Sequence, residues 1–442
     1  MKKISTRKGA KEATILALEP GLMTYKKPVP RKYRARLLDL QGVAALRAEL
    51  KRLRVDPGGA YIMQTKGISK LLLLESISPK AANIIKQEAL ARGGDMAVSW
   101  QVADFDPAPT DVLLMGSLTF YRVLVEKLLR QSVFDLQHIG REIDKTLTAA
   151  VPGYRAVTLQ RQRVLPLPGR ELELGRRTCI MGILNLTDDS FTSDGIGRQV
   201  GKALDRARQM MEDGADIIDV GGESSERRDH SPLTEEEELA AVLPVVRRLR
   251  QELPAAVISI DTWKARVAAA CLEAGAHLIN DVGAMRRDPD MRRVIAGSAA
   301  PIVVTHSQAD TAYQDIMTDI YRFFCDVLEE AAAAGISEEQ IVIDAGFGFG
   351  KSVHQDLLVT RRLRELASLG RPILHAPSRK RTIGRVLGYP DSVEERLLGT
   401  AATVAVGIQN GADIVRVHDV QEMTRCAKMT DALVRGYDGP DE

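Results

Sequence analysis

The pattern of apolar and polar positions changes near residue 165. From there on, short β-branched runs recur, and amphipathic segments with helical spacing separate them. Strands that alternate with helices predict βαβ units and a parallel sheet. The predicted strands are 180–184, 217–220, 257–260, 278–280, 301–305, 341–343, 372–375 and 414–417. The predicted helices include 200–213, 235–251, 263–274, 314–334 and 397–410.

Repetition of this unit favours a closed (β/α)8 barrel, whose usual size matches the length of this part of the chain. An open doubly wound sheet is the alternative, and it normally carries a glycine-rich dinucleotide turn after its first strand. Here the first strand continues into Asn185-Leu186-Thr187-Asp188-Asp189 instead. The pattern therefore predicts an α/β protein whose C-terminal (β/α)8 barrel spans residues 165–442.

The preceding residues have a less regular pattern. Helical spacing at 43–53 and 81–91 and apolar strands at 70–74 and 112–115 predict a smaller N-terminal α/β domain over 32–155. We find no chemical constellation in it, and residues 1–31 are expected to form a flexible basic leader. Between 153 and 178, alternating apolar residues around a Pro-Gly turn predict a linker and a β-hairpin.

Composition agrees with two domains in a reducing compartment. The chain has 442 residues, longer than a single hydrophobic core usually serves. A formal net charge of +2 argues against a dedicated nucleic-acid or membrane surface. The four cysteines include no C-x-x-C pair, which argues against both a disulfide framework and a zinc site. No run suits a signal peptide or a membrane span, so we expect a cytoplasmic protein.

Every predicted barrel strand ends on a polar side chain. A single Asp at such a position is commonly the N-cap of the next helix. Eight polar strand ends together favour a site, because barrel enzymes build their sites where the carboxyl ends of the strands converge. These residues are Asn185, Asp219, Asp261, Asn280-Asp281, His306, Asp344, Ser378-Arg379-Lys380, and Arg416 with His418.

The residue types indicate a ligand with two parts. An ionised Asp accepts two parallel hydrogen bonds, so inward carboxylates and amides suit a heterocycle rich in N–H donors. The cationic candidates Arg379, Lys380, Arg416 and His418 follow the seventh and eighth strands, where barrels often bind phosphate. A flat nitrogen heterocycle that carries a phosphate or diphosphate would satisfy both groups.

The segment GFGFGKS at 346–352 looks at first like a nucleotide-binding P-loop. The P-loop spacing requires glycine at position 345, and this chain has Ala345. Its glycines are better explained by sharp turns and a close backbone approach to a ligand. We therefore give ATP binding little weight.

The strand-end motifs resemble those of the dihydropteroate synthases, within the broader family of pterin-binding barrels. The resemblance covers about residues 165 to 435, and the motifs occur in the family's order. They are MGILNLTDDSF at 181–191, GADIIDVGGES at 214–224, ISIDT at 258–262, INDV at 279–282, IDAGFGFGKS at 343–352, PSRKRTIG at 377–384, GTAA at 399–402 and GADIVRVHDV at 411–420.

The resemblance implies a reaction that joins 6-hydroxymethyl-7,8-dihydropterin diphosphate to p-aminobenzoate and releases pyrophosphate. It implies a homodimer and a Mg²⁺ ion near Asn185. It also implies a role for each matching residue. The pterin would be held by Asp261, Asn280, Asp344 and Lys380, of which Asp261, Asp344 and Lys380 would be catalytic; the diphosphate by Asn185, Arg416 and His418; and the arylamine by Ser225, Phe349 and Arg381.

Several positions depart from the family pattern, mostly around the second substrate. Asp188 replaces a proline, His306 is followed by Ser307, and Arg381 replaces the usual serine. The second loop reads Ser224-Ser225-Glu226-Arg227, so Arg227 could supply one position later the cation that the family has there. The arylamine could therefore be plain p-aminobenzoate or a related molecule with an extra anionic group.

Two other functions remain open from the sequence. A pterin-binding methyltransferase, acting on methyltetrahydrofolate and a corrinoid protein, would share the ring-binding Asp and Asn. It would not need the Ser-Arg-Lys loop or the Arg416 and His418 pair. A catalytically silent barrel that serves as a scaffold is the second alternative, and the altered second loop is its best support.

Overall fold

The computed structural model describes residues 36–38, 40, 42–103, 107–155, 163–186, 196–222, 233–437 and 439. The chain divides into two units, Met1–Leu40 and Gln41–Glu442. Residues 36–38 and 40 of the first unit contain no helix or strand. All helices and strands in the described part of the chain belong to the second unit.

The N-terminal region of the second unit is a three-stranded antiparallel sheet with helices, in the strand order β1-β3-β2. The predicted helices and strands at 43–53, 70–74, 81–91 and 112–115 are present, and several elements were not predicted. The elements are α1 (Gly42–Arg52), α2 (Pro57–Lys66), β1 (Ser69–Ile77), α3 (Pro79–Leu90), β2 (Asp95–Val98), α4 (Trp100–Ala103), β3 (Thr110–Ser117), α5 (Leu118–Leu128) and α6 (Leu136–Ala150).

This region has an apolar core of its own, in which α3 and α5 cover one face of the sheet. Ile85 of α3 and Leu124 of α5 are fully buried there. The Tyr121 hydroxyl donates to backbone carbonyls of both β1 and β3 at 3.0 Å, which satisfies its buried polar atom. The boundary between the predicted domains 32–155 and 165–442 stays a prediction.

A short hairpin closes the amino end of the barrel, as the alternating pattern and the Pro-Gly turn predicted. It consists of β4 (Arg163–Leu167) and β5 (Arg170–Leu174), which pair antiparallel. Leu165, Leu167 and Leu174 are buried against the lowest inward-facing layer of the barrel. The hairpin therefore gives this end an apolar floor.

Residues 179–417 form the predicted closed parallel barrel, in which each strand pairs with its neighbours in sequence and the last pairs with the first. The strands are β6 (Cys179–Asn185), β7 (Ile217–Gly221), β8 (Val257–Asp261), β9 (Leu278–Asp281), β10 (Ile302–Thr305), β11 (Ile341–Asp344), β12 (Ile373–His375) and β13 (Ile414–Val417). The helices are α7 (Ile196–Glu212), α8 (Glu235–Glu252), α9 (Ala265–Glu273), α10 (Asp290–Ala296), α11 (Ile316–Ala333), α12 (Val353–Arg362), α13 (Arg381–Leu387), α14 (Leu397–Gln409) and α15 (Val420–Arg435).

The period of two along each strand decides which residues line the barrel. In β8, Val257 belongs to the apolar floor, while Ile258 and Ile260 pack in the core between strands and helices. Alternation places Ser259 and Asp261 on the same inward side as Val257. The inward face of β8 therefore changes from apolar at the amino end to acidic at the mouth.

Candidate active site

Four side chains from four strands form one hydrogen-bonded group at the mouth of the barrel. Arg416 of β13 donates from Nε to Asp219 Oδ2 at 2.6 Å and from a terminal nitrogen to Asp261 Oδ2 at 2.7 Å. The Asn280 amide donates to the same Asp219 oxygen at 3.1 Å. The inward register of β7, β8, β9 and β13 thus brings together polar residues that lie far apart in the sequence.

Charge is concentrated and largely removed from water in this group. Asp219 is fully buried, and the side chain of Asp261 is 12% exposed. Burial raises the pKa of Asp261 to about 7, although the Arg416 charge acts in the opposite direction. Asp261 therefore titrates near neutral pH, where a change in its ionisation alters what it can accept or donate.

Asp281 follows Asn280 directly, but it bonds to the backbone of the next turn and not to the other side chains at the mouth. Its carboxylate accepts the backbone N–H groups of Gly283 and Met285, each at 2.6 Å. It thus shapes the turn after β9, while Asn280 takes part in the mouth group. Of the two polar residues that the sequence placed at this strand end, the structure brings only Asn280 into the group.

Asp344, Phe349 and Lys380 lie on the adjacent side of the mouth. Asp344 ends β11, is buried, and accepts the Gly346 N–H at 2.9 Å. Burial raises the pKa of Asp344 above its ordinary value, although the hydrogen bond from Gly346 and the charges of nearby lysines act in the opposite direction. The Lys380 ammonium lies 4.5 Å from the centre of the Phe349 ring, within the range of a cation–π contact.

The glycine-rich loop after β11 is anchored from within by Lys351. The Lys351 ammonium donates to the carbonyls of Gly346 and Phe349 at 2.9 and 3.0 Å and lies 3.1 Å from His306 Nδ1. Ser352 caps α12 through a reciprocal capping box with Gln355. Sequence reasoning assigned no role to Lys351.

The cationic residues after β12 and β13 have distinct environments. Arg379 pairs with Asp419. The Ser378 hydroxyl accepts the His418 backbone N–H at 3.1 Å and lies 3.0 Å from His418 Nδ1. Burial lowers the pKa of His418 to about 3, so its ring is neutral near pH 7. The ring therefore offers an N–H donor rather than the positive charge that we expected from the sequence.

Asn185 is the residue that the sequence places beside a magnesium ion. Asn185 ends β6 and is partly buried. Among the described residues, no group of three or more His, Cys, Asp or Glu side chains could hold a metal ion alone. Mg²⁺ commonly uses one or two protein oxygens together with water and substrate phosphates, and the Asn185 amide oxygen fits that arrangement.

The residues predicted to bind the arylamine are Ser225, Phe349 and Arg381. Ser225 lies in 223–232 and Asp188 in 187–195, both outside the described residues. Arg381, at the start of α13, is exposed to solvent. Phe349 is partly buried beside Lys380.

Within the part of the chain that the structure describes, no helix is long and apolar enough to cross a membrane.

Comparisons with known proteins agree with this geometry. Residues 181–418 match the family model described as pterin binding enzyme. The chain is 43% identical to the dihydropteroate synthase of Bacillus subtilis over 277 residues, which cover 63% of this chain and 96% of that protein. A solved dihydropteroate synthase from Clostridium difficile is 48% identical, with a TM-score of 0.57, and covers 59% of this chain and 98% of its own.

A further relative extends the similarity into the N-terminal region. A probable bifunctional folylpolyglutamate synthase/dihydropteroate synthase of Halobacterium salinarum is 35% identical over 408 residues, or 90% of this chain and 47% of that protein. Similarity of that extent reaches well beyond the barrel. The matched family and the fold together define the class: the chain belongs to the pterin-binding enzyme family. Within it, the curated and structural relatives place the chain among the dihydropteroate synthases.

Proposed function

We propose that the barrel condenses 6-hydroxymethyl-7,8-dihydropterin diphosphate with p-aminobenzoate, or a related arylamine, to give dihydropteroate and pyrophosphate. The observation that carries this proposal is the mouth group of Asp219, Asp261, Asn280 and Arg416 in a barrel of this family. Solved dihydropteroate synthases of Xanthomonas albilineans contain 7,8-dihydropteroate in one case and 4-aminobenzoic acid in another, at 35% and 36% identity.

The mouth group suits the pterin ring. An ionised carboxylate can accept two N–H groups from one edge of a heterocycle, and Asp261 and Asp344 are candidates for that role. Asn280 can both donate and accept, and Lys380 can donate to a ring oxygen or nitrogen. Arg416 places a positive charge between Asp219 and Asp261, and this charge acts against the effect of burial on the pKa of Asp261.

The reaction needs stabilisation of charge more than a strong base. The neutral aniline nitrogen attacks the pterin methylene carbon as the carbon–oxygen bond to diphosphate breaks, and the electron pair leaves with pyrophosphate. The nitrogen then loses its proton. Carboxylates near the ring would stabilise cationic character at the methylene, and fixed donors would stabilise the leaving group.

The diphosphate end would be bound by Asn185, His418 and Arg416. Because the Ser378 hydroxyl can donate to Nδ1 of His418, the neutral imidazole can keep its proton on Nε2 for a phosphate oxygen. A Mg²⁺ ion held by Asn185 and the diphosphate would neutralise charge on the leaving group. Arg416 would contribute positive charge while it remains bonded to its two carboxylates.

The arylamine would lie against Phe349, with Ser225 and Arg381 near its carboxylate. An exposed guanidinium is a suitable partner for p-aminobenzoate or for an arylamine with an additional anionic group.

We also propose a homodimer formed through the helical outside of the barrel. Exposed apolar side chains on α14 and α15 support this: Leu398, Met429, Leu433 and Val434.

A direct assay tests the proposal. The purified chain, incubated with pterin diphosphate, p-aminobenzoate and MgCl₂, should give dihydropteroate and pyrophosphate in equal amounts. Chromatography measures dihydropteroate, and a phosphate assay coupled to pyrophosphatase measures pyrophosphate. Omission of either substrate is the control. Tight pterin binding without product would contradict the enzyme and favour a scaffold. Methyl transfer from methyltetrahydrofolate to a corrinoid protein, without pyrophosphate release, would favour the methyltransferase.

A further inference from the structure

A buried carboxylate outside the mouth group connects the glycine-rich loop, which carries Phe349, to the start of α13, which follows Lys380. Asp356 lies in the first turn of α12 and is fully buried. One of its oxygens accepts the Gly348 N–H at 2.8 Å, and the other accepts the Thr382 hydroxyl at 2.5 Å. Gly348 belongs to the glycine-rich loop after β11, whereas Thr382 belongs to α13, directly after Lys380 and Arg381.

Capping of its own helix does not explain Asp356. The Ser352 hydroxyl already accepts the Gln355 backbone N–H, and the Gln355 side-chain oxygen accepts the Ser352 backbone N–H, so the start of α12 has a complete capping box. Both oxygens of Asp356 instead bond to groups outside α12. A buried carboxylate loses much solvation free energy, and these two donors compensate for part of it.

The bridge lies next to the proposed contact surface for the arylamine. Gly348 has φ +81°, and a Cβ on it would lie 3.3 Å from Lys380 Cδ, so the loop backbone lies directly against the Lys380 side chain. Phe349 is the next residue, and its ring faces the Lys380 ammonium. A small shift of the loop relative to α13 would therefore change how Phe349 and Lys380 face each other.

We propose that Asp356 is a positioning residue that sets the register between the glycine-rich loop and the first turn of α13, and thereby the affinity for the arylamine. This inference rests on the proposed function, because the arylamine site is defined by that reaction. Asp356 itself touches neither substrate. Thr382 is its partner in the bridge, and Lys351 anchors the same loop through separate contacts, to His306 and to loop carbonyls.

The Thr382 hydroxyl offers a mild way to break the bridge. Thr382→Val keeps the shape of the side chain but removes the donor to Asp356, and Thr382→Ser restores that donor. Thr360→Val is the matched control, because Thr360 is also a buried threonine but donates to the backbone carbonyl of Asp356 within α12. Each variant is compared with the unmodified full-length chain in steady-state kinetics with both substrates.

We expect Thr382→Val to raise the KM for p-aminobenzoate about tenfold, as loss of one hydrogen bond to a charged group would allow. The KM for the pterin diphosphate should change less than about twofold, and Thr382→Ser should return both constants to normal. Hydrogen exchange of the peptide that contains 346–352 should accelerate in Thr382→Val but not in Thr360→Val, because the Gly348 amide would lose protection.

Unchanged arylamine KM and unchanged exchange in Thr382→Val would overturn the inference, as would equal effects of Thr382→Val and Thr360→Val. A fall in kcat with no change in either KM would also contradict it. If the unmodified chain makes no dihydropteroate, the proposed function is wrong, and the exchange comparison alone then decides whether Asp356 positions the loop.

Discussion

The two sides of the barrel mouth are built in different ways. On one side, Asp219, Asp261, Asn280 and Arg416 come from strands and bond to one another through their side chains. On the other side, loops hold Phe349 and Lys380 in place. Their anchors, Lys351 and Asp356, bond mainly to loop backbone groups or to a neighbouring helix.

The two sides should therefore differ in how well they tolerate substitutions. Strand register and the period of two determine the first side, so a substitution there alters a buried charge balance. The second side depends on a few hydrogen bonds between loops, and loops tolerate change more readily than the elements they connect. Two departures from the family pattern lie in the described part of the chain: Ser307 follows the end of β10, and Arg381 begins α13.

The largest effect on the strand-borne side is expected from Asp219→Ala. It leaves Arg416 buried with one carboxylate partner and Asn280 without its acceptor, so the free energy of unfolding should fall by about 3–5 kcal/mol. Urea denaturation measures this change. Asp205→Ala, which removes an exposed carboxylate paired with Arg208, should cost no more than about 1 kcal/mol. Equal losses in the two variants would show that the mouth group has no special stabilising role.

Asp261→Asn should impair substrate use more than folding, because Arg416 keeps its bond to Asp219. The variant loses the ionised acceptor that we assign to the pterin edge. We expect kcat/KM for the pterin diphosphate to fall about 100-fold, consistent with loss of one or two charge-assisted hydrogen bonds. Steady-state kinetics at saturating p-aminobenzoate tests this. A decrease below about threefold would remove Asp261 from the pterin site.

The pH dependence of kcat/KM for the pterin diphosphate should reflect the ionisation of Asp261. The pKa of Asp261 is about 7, well above its ordinary value, so its carboxylate gains a proton as the pH falls through that range. If only the ionised form accepts the pterin N–H groups, kcat/KM should drop about tenfold for each pH unit below 7. Asp261→Asn should lack this decline. An identical acidic limb in the variant would assign the titration to another group.

The smallest effect is expected on the loop side, from Arg381→Ser. An exposed charge pair contributes up to about 1 kcal/mol, so the KM for p-aminobenzoate should rise by no more than about fivefold. A neutral arylamine without the carboxylate serves as the control and should show no change. If the variant instead prefers p-aminobenzoate over arylamines that carry a second anionic group, while the unmodified chain prefers the latter, Arg381 reads that extra group.

The barrel strands could be predicted because short, continuous β-branched runs are typical of strands that are buried on both faces. All eight of them were predicted in this way, and the closing hairpin was predicted from its alternating pattern and Pro-Gly turn. Helices α10, α12, α13 and α15 were not named individually among the helices expected between the strands. Asp356 was overlooked because a carboxylate in the first turn of a helix usually has a local explanation, and only its buried contacts show otherwise.

The sequence by itself determined the barrel, its polar mouth and the family to which the motifs belong. These features follow from local periodicity and from motifs that stay in order along the chain. Only the tertiary structure decided that Arg416 bonds to two carboxylates, that His418 is a neutral donor, and that Lys351 holds the glycine-rich loop. Hydrogen-bond partners and desolvation depend on groups that are distant in sequence, so no local pattern records them.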